Sequence, residues 1–109
     1  MEYVLYECLN WLESNKDENI KTACWRCNHH NERYDLKEGW VSAMAQGEII
    51  SFYLRMYQYT KKENLLETAL KAYEFMKIDV KDGGIRTFDS NGNLWLEEFP
   101  SDPPSYVLN

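Results

Sequence analysis

Apolar side chains recur along this chain with two different periods. Over residues 3 to 14 they stand at 4, 5, 8, 9, 11 and 12, the spacing of an amphipathic helix face, and the polar run Asn15-Lys16-Asp17-Glu18-Asn19 ends it. Residues 20 to 38 carry no period; Trp25 and Tyr34 are the expected anchors there, with one short strand around Thr22 to Arg26. A second helical run starts near Val41, with Ser42 as its cap, and stops at Thr60. Its apolar positions (43, 44, 45, 49, 50, 52, 53, 54, 56 and 57) leave little room for a water-facing stripe, so the pattern predicts a central helix covered on most of its circumference. Ala43, Ala45 and Gly47 keep its first turns small, which lets another backbone or a ligand approach.

Thr60-Lys61-Lys62-Glu63 has the form of a capping box and predicts a second helix to about Lys77. Its apolar face is read as Leu65, Leu66, Ala69, Leu70, Tyr73 and Met76, and the short joint makes an antiparallel helical hairpin. After Asp82-Gly83-Gly84 the period changes from helix to strand. Ile85 to Phe88 and Leu94 to Glu97 flank Asp89-Ser90-Asn91-Gly92-Asn93, and Asn-Gly signals a tight β-hairpin. Beyond Pro100, Pro103 and Pro104, residues 105 to 109 read as the start of another helix.

The chain's 109 residues form one domain at most, able to bury about 65% of its unfolded surface. Hydrophobic content of 44% with 15% aromatics excludes a disordered chain. A net charge of -6 argues against gripping nucleic acid by bulk electrostatics. It argues likewise against any other strongly anionic partner, unless a local basic cleft is hidden in the total. No run approaches transmembrane length and Met1-Glu2-Tyr3 begins no secretory signal, so no membrane attachment is expected and a cytoplasmic place is the default. Three cysteines cannot pair completely within one chain. Cys24-Trp25-Arg26-Cys27 lacks the βαβ context of a redox motif. With His29 and His30 it is also too compact for zinc, whose ligand pairs are usually separated by about a dozen residues. Reduced cysteines and no metal are expected, and no phosphate or dinucleotide loop calls for an organic cofactor.

Two blocks carry a family resemblance. Gly39-Trp40-Val41-Ser42-Ala43-Met44-Ala45-Gln46-Gly47 resembles the opening of the C-terminal domain of D-glucuronyl C5-epimerases, which convert D-glucuronate to L-iduronate in heparan-type polysaccharides. Trp95-Leu96-Glu97-Glu98-Phe99-Pro100 and Ser105-Tyr106-Val107-Leu108-Asn109 are similar to the family's Trp-Tyr-Glu-Glu-Tyr-Pro and Ser-Phe-Val-Leu-Asn-Gly. The likeness is good over residues 35 to 109 and loose before them. It implies an all-α fold with a small β-hairpin, a partial (α/α) toroid of helix pairs around a carbohydrate cleft. The last block stops one residue short of the family's Gly, so the chain reads as a fragment. Its open apolar flanks predict a homo-oligomer.

Epimerisation at C5 of a uronate takes a proton from one face of the ring and returns one to the other, while the sugar carboxylate is neutralised. The resemblance makes Glu98 the catalytic acid or base and an acidic, uronate-containing polysaccharide the partner. Read from the residues alone, Glu97 and Glu98 are equally a solvated pair at a hairpin exit. Phe99 departs from the family's Tyr and can pack on a sugar but donates no proton; Tyr106 offers a hydroxyl where relatives have Phe. The family's other functional tyrosines lie beyond Asn109, so residues 1 to 109 are expected to be inactive alone. Trp40, Ser42, Gln46 and Trp95 are candidates for lining the cleft, by stacking on pyranose rings or bonding to hydroxyls. Core packing is the alternative for both tryptophans, and Gln46 must find partners in protein or ligand. Arg86 is a candidate for a sugar carboxylate, or a surface arginine. Two further functions stay open beside the epimerase: a non-catalytic carbohydrate-binding or scaffolding module, and a helix-repeat interaction module.

Overall fold

The computed structural model describes residues 2–107, in which three helices dominate two small antiparallel sheets. Helix α1 spans Glu2–Asn15 and turns Leu5, Leu9 and Leu12 inward, while Tyr3, Val4, Tyr6 and Trp11 face outward. The polar run that ends it then forms β1 (Asp17–Glu18), paired in register with β2 (Ala23–Cys24). One short strand is thus present where the sequence predicts it, together with a partner hidden in a charged stretch. Trp25 follows β2 into the core; its indole N–H donates to the Leu12 carbonyl at 2.8 Å and its ring lies 5.7 Å from Tyr53. This one side chain fastens the irregular segment to the helices.

Helix α2 (Ala43–Thr60) begins two residues later than its hydrophobic run, because Ser42 is extended and its hydroxyl accepts from the Ala45 amide at 3.3 Å. It ends at Lys61, which takes a left-handed φ of 62° and donates its N–H to the Tyr57 carbonyl. The expected capping box does not form. Thr60 is still in the last turn of α2, where its hydroxyl donates to the Met56 carbonyl at 2.9 Å, and Lys62 opens the next helix without a side-chain cap. Helix α3 runs Glu63–Phe75, two residues shorter than expected.

Two hydrophobic faces differ from their sequence reading. On α3 the buried positions are Leu65, Thr68, Ala69, Ala72 and Phe75, whereas Leu70 and Tyr73 are 56% and 53% exposed. Small residues at 69 and 72 let α2 approach closely, so the contact line runs one step round from the longest apolar side chains. On α2 only Ala43, Gln46, Tyr53 and Met56 are buried; Met44, Leu54 and Tyr59 remain open. A helix apolar on most sides needs more neighbours than α1 and α3 supply.

A second core joins α2 to the chain's last third. Cys24, Val41, Ala43, Phe75 and Ile85 pack together where a 3₁₀ turn (Val80–Asp82) leads into β3 (Arg86–Phe88) and β4 (Leu94–Leu96). The hairpin pairs Arg86 with Leu96 and Phe88 with Leu94, and Asp89 closes its turn by accepting from the amides of Asn91 and Asn93 at 2.9 Å. Residues 105 to 107 are not helical, correcting the expected helix start; 108 and 109 lie outside the described residues. No described helix is long and apolar enough to cross a membrane.

Candidate functional site

Strand alternation determines how the Glu97–Glu98 pair divides. Glu97 shares a strand face with Trp95 and turns inward, 1% exposed, while Glu98 is half-buried on the other side. The Glu97 carboxylate accepts from the amides of Tyr106 (2.8 Å) and Ser105 (3.2 Å) through one oxygen and from the Thr87 hydroxyl (3.3 Å) through the other. Its backbone N–H donates to Ile85 and its carbonyl accepts from Ala43 N at 3.0 Å. Glu97 therefore ties the hairpin, the first residue of α2 and the 101–107 loop to one point. The solvated-pair reading fails for it, and sequence reasoning missed it although the period of two carried the signal.

Glu98, set beside this knot, has its Oε2 buried with no hydrogen-bond partner among the described residues. Phe99 turns its ring into an aromatic wall. It stacks on Tyr34 at 4.3 Å and 12° between planes, and lies 5.7 Å from Trp40. The Trp40 indole N–H donates to the His29 carbonyl at 3.1 Å, and the His29 ring meets the indole edge-on at 5.6 Å. Tyr34, expected only as an anchor, is thus a member of the wall. Nothing periodic links positions 34, 40 and 99, so only the fold could bring them together.

The other candidates separate into two groups. Gln46 is 1% exposed, and its amide nitrogen donates to the Ala23 carbonyl (2.8 Å) and the Ala72 carbonyl (3.1 Å). That corrects its reading as a cleft residue: both amide protons stitch β2 and α3 to α2. Ser42 is likewise 7% exposed and occupied as the α2 cap. On the hairpin, Arg86 donates through Nε to Asp79 at 2.7 Å and lies over the Phe88 ring. This bond holds the Asp79 carboxyl below its ordinary range. Arg86 lines a cleft of about 300 Å³ with Lys81, Thr87, Phe88, Ser101 and Pro104. Trp95 donates its indole N–H to Asp89 and packs 5.2 Å from Tyr106, whose hydroxyl reaches the Phe88 carbonyl at 3.3 Å. Tyr106 holds a φ of 50°, and its backbone N–H donates to Glu97 Oε1 at 2.8 Å.

All three cysteines are free thiols. Burial pushes the Cys24 thiol up to about 11 and also raises Cys27. Among the described residues no group of three or more His, Cys, Asp or Glu is placed to hold a metal ion.

Comparison with known proteins adds three findings. Residues 16–109 match the family model described as D-glucuronyl C5-epimerase C-terminus. The chain is similar to a D-glucuronyl C5-epimerase of Caenorhabditis elegans, 35% identical over 111 aligned residues that cover 98% of this chain and 17% of the relative. It is also similar to an uncharacterized protein of Methanocaldococcus jannaschii, 30% identical over 99% of this chain and 36% of the relative. The chain therefore spans about a sixth and about a third of the lengths of these two relatives.

Proposed function

The chain belongs to the D-glucuronyl C5-epimerase C-terminus family, and from that premise we propose that it supplies one wall and one proton-transfer group of a uronyl C5-epimerase site. The substrate is D-glucuronate within a heparan-type or related polysaccharide, and the product is L-iduronate. The observation that carries the reading is Glu98 Oε2, sequestered without a partner among the described residues beside the Tyr34–Phe99–Trp40 wall. A carboxylate oxygen that no described residue engages is free to accept a proton from an external carbon acid, and the aromatic faces exclude water from the ring that presents it. Arg86, over the Phe88 ring in the cleft beside the hairpin, is the group for the sugar carboxylate. Its Nε is held by Asp79, which leaves the remaining guanidinium N–H groups for a ligand.

The helix pair α2–α3 is one unit of an (α/α) toroid. Its outer apolar side chains Met44, Leu54, Leu70 and Tyr73 are the surface on which further helices or a second copy pack. Residues 1–109 alone give no L-iduronate, because one carboxylate without an opposing acid can remove the C5 proton but cannot deliver one to the other face. They self-associate at micromolar concentration, and a clean monomer by light scattering would remove that part of the proposal.

Phe99 favours a second reading, a carbohydrate-binding module that kept the wall and lost the phenol. One experiment separates the two: exchange residues 16–109 for the matching segment of the Caenorhabditis elegans epimerase and follow C5 proton exchange by NMR. The epimerase reading expects activity, raised by Phe99→Tyr and lowered at least about 100-fold by Glu98→Gln. An active chimaera indifferent to Glu98→Gln would refute it, and a folded chimaera active only with Phe99→Tyr assigns this chain to the binding class.

A further inference from the structure

A second groove, of about 500 Å³, opens between the last turn of α1 and the segment after β2. Its chemistry is distinct from that of the candidate site. Trp11 lines it and is 61% exposed, so much of its indole is open to solvent. Around it lie planar polar groups: Asn15, Asp17, Arg26, Asn28 and His29. Several of them are held in place and still have bonding capacity. Asn15 Nδ2 donates to the Trp11 carbonyl at 2.8 Å, which orients its amide and leaves the oxygen as an acceptor. Arg26 Nε donates to Asp17 Oδ2 at 2.5 Å and Nη1 to the Gly39 carbonyl at 2.9 Å. That leaves guanidinium N–H groups beside a carboxylate oxygen, Asp17 Oδ1, both on side chains 41% and 56% exposed.

We propose that this groove is a second saccharide-binding site, one that takes a D-gluco-configured pyranose of a polysaccharide chain. Three physical features select that ligand. An exposed indole face offers an apolar plane to a ring whose axial hydrogens form a flat patch, at small cost in side-chain entropy. The Arg26–Asp17 pair presents a donor and an acceptor side by side, the complement of two vicinal hydroxyls. Because the pair is internally neutral, the groove reads hydroxyls rather than an anionic group, which suits a chain of net charge -6. A phosphate or sulfate would meet Asp17 as well as Arg26, and an apolar peptide would leave the polar rim unsatisfied. The groove is also joined to the candidate site: His29, on its rim, contacts Trp40, and Trp40 contacts Phe99. A polymer lying in the groove can therefore continue across the wall toward Glu98. The inference rests on the proposed function only for the identity of that polymer; binding at Trp11 requires no proton transfer.

The test is a titration of the 109-residue chain with a D-glucuronate-containing tetrasaccharide, read by calorimetry and by indole N–H resonances. Trp11→Ala is expected to weaken binding about tenfold and Trp11→Phe about twofold, with unchanged circular dichroism. Lys62→Ala, at the exposed joint between α2 and α3 and outside both sites, is expected to leave the affinity unchanged. The Trp11 indole resonance should move with the tetrasaccharide. The proposal is overturned if no binding occurs, if Trp11→Ala binds like the parent chain, or if only the Trp40 resonance moves. Loss of C5 exchange in a Glu98→Gln chimaera addresses the epimerase reading alone, so either idea can fail without the other.

Discussion

Replacing Glu97 by alanine should damage this protein more than any other change to a charged side chain. The carboxylate is 1% exposed and holds two backbone amides and a hydroxyl, at 2.8, 3.2 and 3.3 Å. The shortest of these, to Tyr106, is worth about 2 kcal/mol as a bond to a charged acceptor, and the two longer ones about 1 kcal/mol each. Emptying the side-chain volume adds about 1 kcal/mol. Freeing Tyr106 from its left-handed backbone, φ 50°, returns about 1 kcal/mol. Glu97→Ala is therefore expected to cost about 4 kcal/mol, less whatever water recovers at the half-exposed Ser105 and Tyr106 amides, so about 3 kcal/mol overall. Glu97→Gln is the sharper half of the comparison. Both amides bond to the same oxygen, Oε1, which a glutamine retains, and the Thr87 hydroxyl can rotate to accept from the new amide nitrogen. That variant should lose only about 1 kcal/mol of charge assistance. Urea unfolding followed by circular dichroism, with a common slope, reads both values. Equal losses in the two variants, or an alanine variant within about 0.5 kcal/mol of the parent, would show that Glu97 does not hold the loop.

Three further outcomes follow from the same structure. Gly84 is packed against the Ile78 carbonyl so tightly that a Cβ would overlap backbone atoms; Gly84→Ala should cost about 3 kcal/mol, and a thermal melt within a few degrees of the parent would contradict this packing. Asp79 is depressed by the Arg86 bond, so its contribution is present above the unfolded carboxyl value and is lost as pH falls through the lower folded value. The stability gap between the parent and Asp79→Asn should accordingly narrow below about pH 4 in melts run from pH 5 to 2, and a constant gap would deny the linkage. Exposed Cys8 should react with iodoacetamide first, Cys27 later and Cys24 last, since burial to about 11 leaves the Cys24 thiolate at roughly one part in a thousand at pH 8. Equal rates by mass spectrometry would mean that the β2 core opens freely.

The sequence alone was sufficient for features specified by neighbours along the chain. The α2 cap at Ser42, the helical hairpin to α3 and the Asn-Gly β-hairpin each depend on residues a few positions apart, so their signals survive without the rest of the fold. The blocks around Trp40 and Glu98 likewise pointed to the family through their residues and their order. Local chemistry misled where two local arrangements compete: Thr60 could cap α3 or close α2, and the two-residue joint decided for α2. What only tertiary structure decided was which side chains are used up. Gln46 looks like a cleft residue until Ala23 and Ala72, far away in sequence, take its amide protons. Glu97 looks like half of a solvated pair until the 101–107 loop folds back onto it. The Tyr34–Phe99–Trp40 wall has no trace in any window of the chain, because burial and aromatic contact depend on distance in space and a sequence records only distance along the backbone.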